Sequence, residues 1–504
     1  MMFSGFRANI LSNFILQIWL FIGQLILIPV YIKYLGVEQY GLVGFYASLQ
    51  SIFLLFDLGM SATITQEMAK ECETNEKKQR IVNLTFTLEC IFWGLSIISF
   101  VGLFLTAHLF AKSWFVDSNL SSDKIILSIQ LMAFLLLFRL PLGLYMGAMT
   151  GLQQQAKLNY FSLFIELAKF ISILISFYYF SSDIITFLII QIVFGIIMIF
   201  GLKIFVWVKI NILKFKAIWS TNVLKEVQHF SLGVAGIAIV SILLTQADKI
   251  ILMKFVSLKD FGYYTLAFSI ASIPSKIVGT IATVFYPKLV KQFSLNNLTE
   301  MSRVYHEGCQ FISILIIPVS VVLLFFTSNI LNLWFSDIDL VNQIVFLVRV
   351  FVIGFLFNGF MTMPYYLQLT IQWTKLSFYK NIIAIILLVP MIYFLTVLYG
   401  IYGAVWFWLI LNSLYLIFEI PIMHRMTLQK DMRLWYQDDI LLPLTMVIVF
   451  DFLFYELMNY FLISNLGIIV LCSFLVLIQI IILNMILKHN PISNFIRNNR
   501  LYES

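Results

Sequence analysis

The sequence predicts an all-α, polytopic membrane protein with about 14 transmembrane helices, arranged as two pseudo-symmetric six-helix lobes plus two appended helices. Three observations predict this architecture: the composition, the length of the apolar runs and a repeated segment. Of the 504 residues, 61% are hydrophobic and only 11% are charged, whereas about a quarter of the residues of a soluble domain are charged. A chain of this composition is therefore expected to fold in a bilayer.

Apolar runs predict the individual spans, because a helix of about 20 residues crosses the roughly 30 Å of hydrocarbon in a bilayer. The first run is longer than a signal peptide and lacks a small-residue cleavage site, so we interpret it as a span. We place the spans near residues 9–33, 40–63, 83–110, 125–149, 158–180, 183–203, 228–253, 261–287, 305–331, 340–367, 374–398, 400–424, 440–461 and 464–487.

A repeated segment indicates that the chain contains two copies of one unit. Lys33 to Gly41 reads Lys-Tyr-Leu-Gly-Val-Glu-Gln-Tyr-Gly, and Lys254 to Gly262 reads Lys-Phe-Val-Ser-Leu-Lys-Asp-Phe-Gly. Both segments follow one apolar span and lead into another. Duplicated halves of this kind are typical of secondary transporters. We expect an N-terminal lobe (1–208), a basic cytoplasmic linker (209–227), a C-terminal lobe (228–424) and an appended helix pair with a cytoplasmic tail (425–504).

The placement of basic residues predicts the orientation of the chain in the membrane. With both termini in the cytoplasm, the inner loops and tails carry roughly four times as many lysines and arginines as the outer ones. The net charge of +7 is then a positive-inside signature, and no nucleic-acid partner is expected. The four cysteines and five histidines show no metal-ligand spacing, so we expect no metal and no cofactor. They are Cys72, Cys90, Cys309, Cys472, His108, His229, His306, His424 and His489.

Charged residues inside the predicted spans are the strongest candidates for function. A charge at the bilayer centre costs about 2.5–3.5 kcal/mol even on an insertion scale, so it should face a wet cavity or a partner. The basic residues near mid-depth are Arg139, Lys169, Lys276 and Arg349. The acidic ones include Asp57 and Glu89 towards the cytoplasm, Glu166 at mid-depth and Asp248 further out.

Polar residues recur at helical spacing beside these charges. The eighth span carries Thr265, Ser269, Ser272, Lys276 and Thr280, which predicts one polar helix face. Pro274 precedes Lys276 on this span by about half a turn. The fifth span carries Asn159, Ser162, Glu166 and Lys169, with the last two close enough to pair. Such faces can line a cavity, or they can hold helices together by hydrogen bonds.

Four short segments carry a resemblance to a known family. They are Leu35-Gly36 with Tyr40-Gly41, Phe56-Asp57-Leu58-Gly59-Met60, Gln246-Ala247-Asp248-Lys249 and Phe285-Tyr286-Pro287. The chain resembles the O-antigen flippases of the Wzx type, in the multidrug, oligosaccharidyl-lipid and polysaccharide exporter superfamily. Peptidoglycan lipid-precursor flippases share the superfamily but use an arginine cluster in the first two spans, where this sequence has no arginine near mid-depth.

The resemblance implies a fold, an activity and a location. It implies two lobes around a cavity and movement of an undecaprenyl-pyrophosphate-linked oligosaccharide from the inner to the outer leaflet of the bacterial inner membrane, within lipopolysaccharide biosynthesis. Expected partners are membrane lipid, a polysaccharide polymerase and a chain-length regulator. Family members are thought to have a cationic lumen, which Arg139, Lys169, Lys276 and Arg349 would provide as substrate-binding residues.

The sequence contains no P-loop for ATP, so the net direction of transport is expected to come from an ion gradient or from removal of the sugar on the far side. A carboxylate that exchanges a proton is the simplest coupling device. Asp57 is the first candidate for a proton-exchanging carboxylate and Asp248 the second, with a structural role at a helix end as the alternative for Asp57. Glu166 should stay ionised beside Lys169. On span 13, Asp451 and Glu456 should be shielded by the C-terminal lobe or by a partner subunit.

Two other functions remain open. A multidrug exporter would share the lobes but should have an acid-rich cavity for cationic drugs, which the basic residues oppose. A polytopic glycosyltransferase or polymerase would need a large outer catalytic loop, and the predicted outer loops are short. We therefore expect a transporter and not an enzyme.

Overall fold

The computed structural model describes residues 2–70, 74–114, 118–210, 215–459 and 464–487. In these residues every regular element is a helix. The chain divides into two compact units, which we call unit 1 (Met1–Gly262) and unit 2 (Tyr263–Ser504). Because this division falls inside the predicted C-terminal lobe, the predicted lobe boundaries stay predictions. Cys72 and His489 lie outside the described residues.

Unit 1 is built from long apolar helices joined by short connections. A single 3-10 turn, Leu54–Asp57, separates the first two helices. The helices are α1 (Met2–Phe53), α2 (Met60–Ala69), α3 (Asn75–Trp114), α4 (Ser122–Leu137), α5 (Arg139–Gly151), α6 (Gln155–Tyr179), α7 (Ile184–Lys209) and α8 (Thr221–Phe255).

Unit 2 has the same character, with two π-helical turns at Tyr415–Glu419 and Trp435–Leu441. Helix α9 (Leu258–Ala271) runs across the division between the units. The remaining helices are α10 (Ser275–Ser294), α11 (Leu298–Phe325), α12 (Thr327–Trp334), α13 (Ile338–Phe360), α14 (Thr362–Thr370), α15 (Thr374–Ala404), α16 (Trp406–Leu414), α17 (Ile420–Met426), α18 (Met432–Leu434), α19 (Leu442–Asn459) and α20 (Asn465–Ile486).

Eleven helical stretches of the described residues are long and apolar enough to cross a membrane. The first, Leu11–Asp57, contains two of the predicted spans, because α1 is kinked at Gly36. Two predicted spans have no counterpart among these eleven stretches. The span at 228–253 corresponds to α8, and the span at 261–287 corresponds to α9 together with α10. The chain is therefore a polytopic, all-α, multi-pass membrane protein, and the predicted fold class is confirmed.

The breaks between helices repeat along the chain at equivalent positions. The kink at Gly36, where φ is 75°, corresponds to the break between α8 and α9. Gln153 after α5 and Gln372 after α14 both have a left-handed backbone, with φ of 55° and 58°. The backbone N–H of the next residue donates to a carbonyl oxygen of the preceding helix over 2.9 Å in both places, from Gln154 to Met149 and from Trp373 to Gln368. These matched breaks support the duplication inferred from the sequence.

The two repeated segments pack against each other inside unit 1 through their glycines. A Cβ atom built on Gly41 would lie 2.5 Å from the carbonyl oxygen of Leu258, and one built on Gly262 would overlap the carbonyl oxygen of Val37. The two contacts are equivalent, since Val37 and Leu258 occupy matching positions in the repeat. Only glycine permits so close an approach of two backbones.

The linker after α7 lies on a ladder of polar side chains of α3. Gln79 donates to the carbonyl oxygen of Lys216 over 2.6 Å. The N–H of Ile218 donates to Asn83 over 3.2 Å and the N–H of Ser220 donates to Thr87 over 3.0 Å. Four residues of helix rise about 6 Å, and two residues of extended chain span about 6.6 Å. The two spacings match, so each of the three side chains of the ladder finds a backbone partner in the linker.

The appended helices α19 and α20 share a buried polar pair. Asp451 and Gln479 are both fully buried, and the Gln479 side-chain amide donates to Asp451 over 3.2 Å. The other side-chain oxygen of each residue is buried without a hydrogen-bond partner in the described part of the chain. The predicted shielding of Asp451 thus comes from its neighbour α20, whereas Glu456 is exposed.

The reciprocal glycine contact predicts that Gly41→Ala destabilises the protein by roughly 1–3 kcal/mol, because the added methyl group forces two backbones apart. The measurement is thermal unfolding of the purified protein in detergent. Gly94→Ala is the matched control, since a Cβ there meets nothing within 4 Å and alanine favours a helix. Equal melting temperatures for the two variants would contradict the contact.

The buried pair predicts that Asp451 is a neutral acid, because one amide hydrogen bond cannot compensate a buried charge. Asp451→Asn should keep the melting temperature of the parent protein. Asp451→Ala should lose about 1–3 kcal/mol by leaving Gln479 unpaired, and the exposed Glu456→Gln serves as control. Destabilisation by Asp451→Asn as large as that by Asp451→Ala would show that the ionised form is needed.

Candidate functional site

Arg139 begins α5, immediately after the break that separates this helix from α4. The side chain is half-buried, and its Nε atom is buried without a hydrogen-bond partner in the described residues. No described carboxylate lies within ion-pair distance of it. Arg139 therefore carries an uncompensated positive charge in unit 1.

Lys169 and Glu166 form the ion pair that their spacing on α6 predicts. The lysine Nζ lies 2.7 Å from a carboxylate oxygen of Glu166, and both side chains are half-buried. Nearer the start of α6, the Asn159 side-chain amide donates to the hydroxyl of Ser12 on α1 over 3.1 Å. The polar face of α6 thus serves in part to hold α6 against α1, and the charge of Lys169 is balanced.

Asp57 lies at the end of the 3-10 turn and faces the start of α2. Its carboxylate accepts hydrogen bonds from the hydroxyl of Ser61 and, over 3.3 Å, from the Ser61 backbone N–H. The backbone turns into α2 through Gly59, which has a φ of 73°. This geometry supports the alternative of a helix-end role, while a coupling role for Asp57 stays a prediction.

Helix α2 packs closely on α5 through a row of glycines that the sequence reasoning missed. Gly143, Gly147 and Gly151 follow each other at four-residue spacing, and a Cβ on Gly147 would lie 2.7 Å from the carbonyl oxygen of Ser61. Thr65 also donates to the carbonyl oxygen of Gly147 over 3.0 Å. Glycines at four-residue spacing favour close helix packing in membranes, so the sequence did contain a signal for this helix contact. The contact fixes α5, and with it Arg139, against α2.

Asp248 and Lys249 are both buried, and the lysine Nζ lies 3.4 Å from an Asp248 oxygen. Adjacent residues of a helix point about 100° apart, yet the flexible lysine side chain bridges the angle between them. Asp248 therefore has a basic neighbour, which Asp57 lacks among the described residues.

Lys276 and Arg349 belong to unit 2, and both side chains are exposed. Lys276 lies in the first turn of α10 and Arg349 lies on α13. Among the described residues neither has a carboxylate within ion-pair distance. Like Arg139, they are free to meet an anion.

The predicted continuous polar face of the eighth span is wrong in one respect. The helix is interrupted at residues 272–274, so Thr265 and Ser269 lie on α9 whereas Lys276 lies on α10. The hydroxyls of Ser272 and Ser275 donate to backbone carbonyls at this break. Pro274, which lacks an N–H group, accounts for the interruption. The side chain of Thr280 lies outside the described residues.

Two partly buried ion pairs were missed because their partners are far apart in the sequence. In unit 1, Lys203 lies 2.5 Å from Glu89. In unit 2, Lys380 lies 2.5 Å from Glu419, which is in a π-helical turn and also accepts from Gln368 over 2.7 Å. The only sequence signal for either pair is the presence of unmatched charges in different spans.

At the predicted cytoplasmic end of unit 1, Glu67 is buried between two basic residues. Lys70 lies 2.5 Å and Arg80 lies 2.6 Å from its carboxylate. Burial would raise the pKa of Glu67, but hydrogen bonds from Lys70 and Arg80 outweigh it and hold the pKa below its usual range. Part of the inner basic cluster is therefore engaged in a local ion-pair network.

The charges divide into balanced and unbalanced groups. Glu166 and Asp248 each have a lysine partner, and Asp57 accepts hydrogen bonds from Ser61. Arg139 in unit 1 and Lys276 and Arg349 in unit 2 have no described carboxylate partner. No group of three metal-ligating side chains occurs in the described residues. Among the residues predicted for the site, the charged side chains with neither an ion pair nor a hydrogen bond in the described residues are thus the basic ones, which suits an anionic ligand.

Comparison with known proteins gives one family match and several similar folds. The family model described as "Polysaccharide biosynthesis protein" matches residues 6–293. Comparison with curated proteins gives no match.

The solved structures similar to this chain share its fold at low sequence identity. The structure "Lipid II flippase MurJ, inward closed conformation" has a TM-score of 0.68 and 16% identity over 97% of this chain and 99% of that chain. A multidrug resistance MATE family transporter of the MOP superfamily, in an inward-facing conformation, has a TM-score of 0.65 and 11% identity over 80% of this chain and 94% of that chain. The family match confirms the sequence resemblance at the level of the polysaccharide biosynthesis family, and the solved structures confirm the fold.

Proposed function

The chain belongs to the polysaccharide biosynthesis protein family matched above, and from this premise we propose that it moves undecaprenyl-pyrophosphate-linked oligosaccharide repeat units across the bacterial inner membrane. Movement runs from the inner to the outer leaflet, and the cargo is an O-antigen repeat unit or that of a similar surface polysaccharide. The observation that carries the proposal is the set of basic side chains, Arg139, Lys276 and Arg349, without a described carboxylate partner.

The electrostatics of the cargo explain why such residues are needed. A pyrophosphate loses its hydration when it enters a space of low dielectric, and a buried charge without a partner is costly. Cationic side chains in a wet cavity replace the lost water, while the polyprenyl tail stays in lipid. Arg139, Lys276 and Arg349 supply this compensation, and Lys169 contributes less because Glu166 balances its charge.

The helix breaks give the protein places at which to bend. Arg139 follows the break between α4 and α5, and Lys276 follows the break at residues 272–274. Discontinuous helices near mid-membrane are a common feature of transporter sites. Bending at these breaks changes the access to the basic residues from one side of the membrane to the other, which is alternating access.

The direction of transport requires a source of free energy. An ion gradient supplies it through a carboxylate that exchanges a proton as access alternates. Asp57 remains our first candidate, since it lacks a described basic partner, and Asp248 is the second. Both termini lie in the cytoplasm, and a polymerase and a chain-length regulator receive the exported units on the outer side.

A multidrug exporter is the alternative, because MATE transporters share the fold. Cationic drugs would require unbalanced acids, whereas the unbalanced charges named above are basic. We therefore prefer the anionic lipid-linked cargo.

The first functional prediction concerns the basic residues. Arg139→Ala and Lys276→Ala should each reduce export of lipid-linked oligosaccharide by roughly tenfold to a hundredfold, because each loses a charged hydrogen bond worth about 1.5–3 kcal/mol. Arg139→Lys should keep part of the activity, since the charge is retained. The measurement is leaflet-resolved transport in vesicles containing the purified protein.

The exposed lysines Lys157 and Lys375 provide matched controls, and their alanine variants should export normally. Parental export by both Arg139→Ala and Lys276→Ala, at equal protein levels, would reject the binding role. Export of a cationic dye in place of the lipid-linked sugar would favour the exporter.

The second functional prediction concerns coupling. Asn at position 57 still accepts the hydrogen bonds from Ser61 and retains the helix end, but it cannot exchange a proton. Asp57→Asn should therefore keep the melting temperature of the parent and lose the response of export to an imposed proton gradient. An unchanged gradient response would exclude Asp57 as the coupling site and leave Asp248→Asn as the next variant to measure.

A further inference from the structure

Three tyrosines meet in unit 2, where α10 packs against α14. Tyr286 belongs to α10, and Tyr365 and Tyr366 belong to α14. The ring centroids of Tyr286 and Tyr366 are 5.2 Å apart at an angle of 54°, and those of Tyr365 and Tyr366 are 5.9 Å apart at 73°. These three residues form what we call the tyrosine triad. Tyr286 and Tyr366 are half-buried and Tyr365 is 39% exposed, so part of each side chain remains accessible.

The hydroxyl groups of the triad have no hydrogen-bond partner among the described residues. Four other tyrosines of unit 2 do have one. Tyr305, Tyr402, Tyr415 and Tyr436 bond to His424, Gln343, Asn381 and the carbonyl oxygen of Leu416, respectively. The hydroxyl oxygens of Tyr286 and Tyr366 are not buried, so a polar ligand can reach them. Three neighbouring phenolic hydroxyls can both donate hydrogen bonds to such a ligand and accept them from it.

The triad lies on the helices that follow the breaks in unit 2. Lys276 lies in the first turn of α10 and Tyr286 lies ten residues later on the same helix, which corresponds to about 15 Å along the axis. Tyr365 and Tyr366 follow the break at Met361. A ligand with a pyrophosphate at Lys276 and sugars attached to it would extend past the triad, provided that it lies along α10.

We propose that the tyrosine triad is a sugar-binding subsite for the oligosaccharide of the lipid-linked cargo; the inference rests on the function proposed above. The apolar C–H face of a pyranose ring packs against an aromatic ring, and the sugar hydroxyls exchange hydrogen bonds with the phenolic groups. The triad contains no charge. It therefore recognises the neutral sugar rings, while the basic residues bind the pyrophosphate.

Aromatic residues also occur at membrane interfaces as lipid anchors, and the triad differs from them in its environment. Tyr178 and Tyr179 at the end of α6 are 71% and 73% exposed, as expected for rings that face lipid headgroups. In the triad, Tyr286 and Tyr366 face each other between two packed helices. An anchoring role would make no distinction between lipids with and without a sugar, and this difference provides the test.

The experiment measures the affinity of the purified protein for two probes. One is undecaprenyl pyrophosphate alone, and the other is the undecaprenyl-pyrophosphate-linked oligosaccharide extracted from the cells that make the protein. Tyr366→Ala and Tyr286→Ala should weaken binding of the sugar-bearing lipid by about tenfold, and Tyr366→Phe, which keeps the packing, by about fivefold through loss of one hydrogen bond. None of these variants should change the affinity for the bare lipid.

The control is Tyr399→Ala, which removes an exposed tyrosine of unit 2 (62% exposed) and should leave both affinities unchanged. An equal loss for the two probes would identify the triad as a lipid anchor and overturn the proposal. Unchanged affinity of Tyr366→Phe and Tyr366→Ala for the sugar-bearing lipid would also overturn the sugar-binding proposal. In that case, export of the lipid-linked oligosaccharide by the wild-type protein would leave the proposed function intact. If the wild-type protein binds neither probe, the proposed function fails and the subsite fails with it.

Discussion

Hydrocarbon offers no hydrogen-bond partner to a backbone amide and no counter-ion to a charge, and the rest of this structure depends on that constraint. Every described regular element is a helix, which satisfies the backbone within its own segment. Where a helix breaks, local groups take over. The hydroxyls of Ser272 and Ser275 bond to carbonyls beside Pro274, and the left-handed residues Gln153 and Gln372 let the chain reverse while their neighbours bond to the preceding helix.

The same constraint sorts the charged residues. Most intramembrane charges have a partner, as in Glu166 with Lys169, Glu89 with Lys203 and Glu419 with Lys380. A charge without a partner is expensive to retain unless water or a ligand reaches it. The position of Arg139 and Lys276 immediately after helix breaks places the unbalanced charge where the backbone is already irregular. Structural irregularity and unbalanced charge thus coincide at Arg139 and Lys276.

The sequence was sufficient for the features that depend on local periodicity. Hydropathy located the spans, because helix length and bilayer thickness are linked, and helical spacing located the pair of Glu166 and Lys169. It could not find the pair of Lys380 and Glu419, because that pair depends on how α15 packs beside the π-helical turn that precedes α17. The break at residues 272–274 was signalled only by Pro274, and proline in a membrane helix is compatible with either a bend or a full interruption. The free charges of the candidate site were recognised one by one, but which acids neutralise which bases is a property of tertiary packing.

The ladder of Gln79, Asn83 and Thr87 on α3 has a consequence for how the linker can evolve. The side chains of Gln79, Asn83 and Thr87 each bond to a backbone atom of the linker. The ladder therefore recognises an extended conformation and is indifferent to the identity of the residues that adopt it. Substitutions at positions 216, 218 and 220 are tolerated as far as these bonds are concerned, with proline at 218 or 220 as the exception because it lacks the donated N–H. Sequence change at these three positions can therefore proceed without loss of the ladder, so the path of this part of the linker can outlast the identity of its side chains.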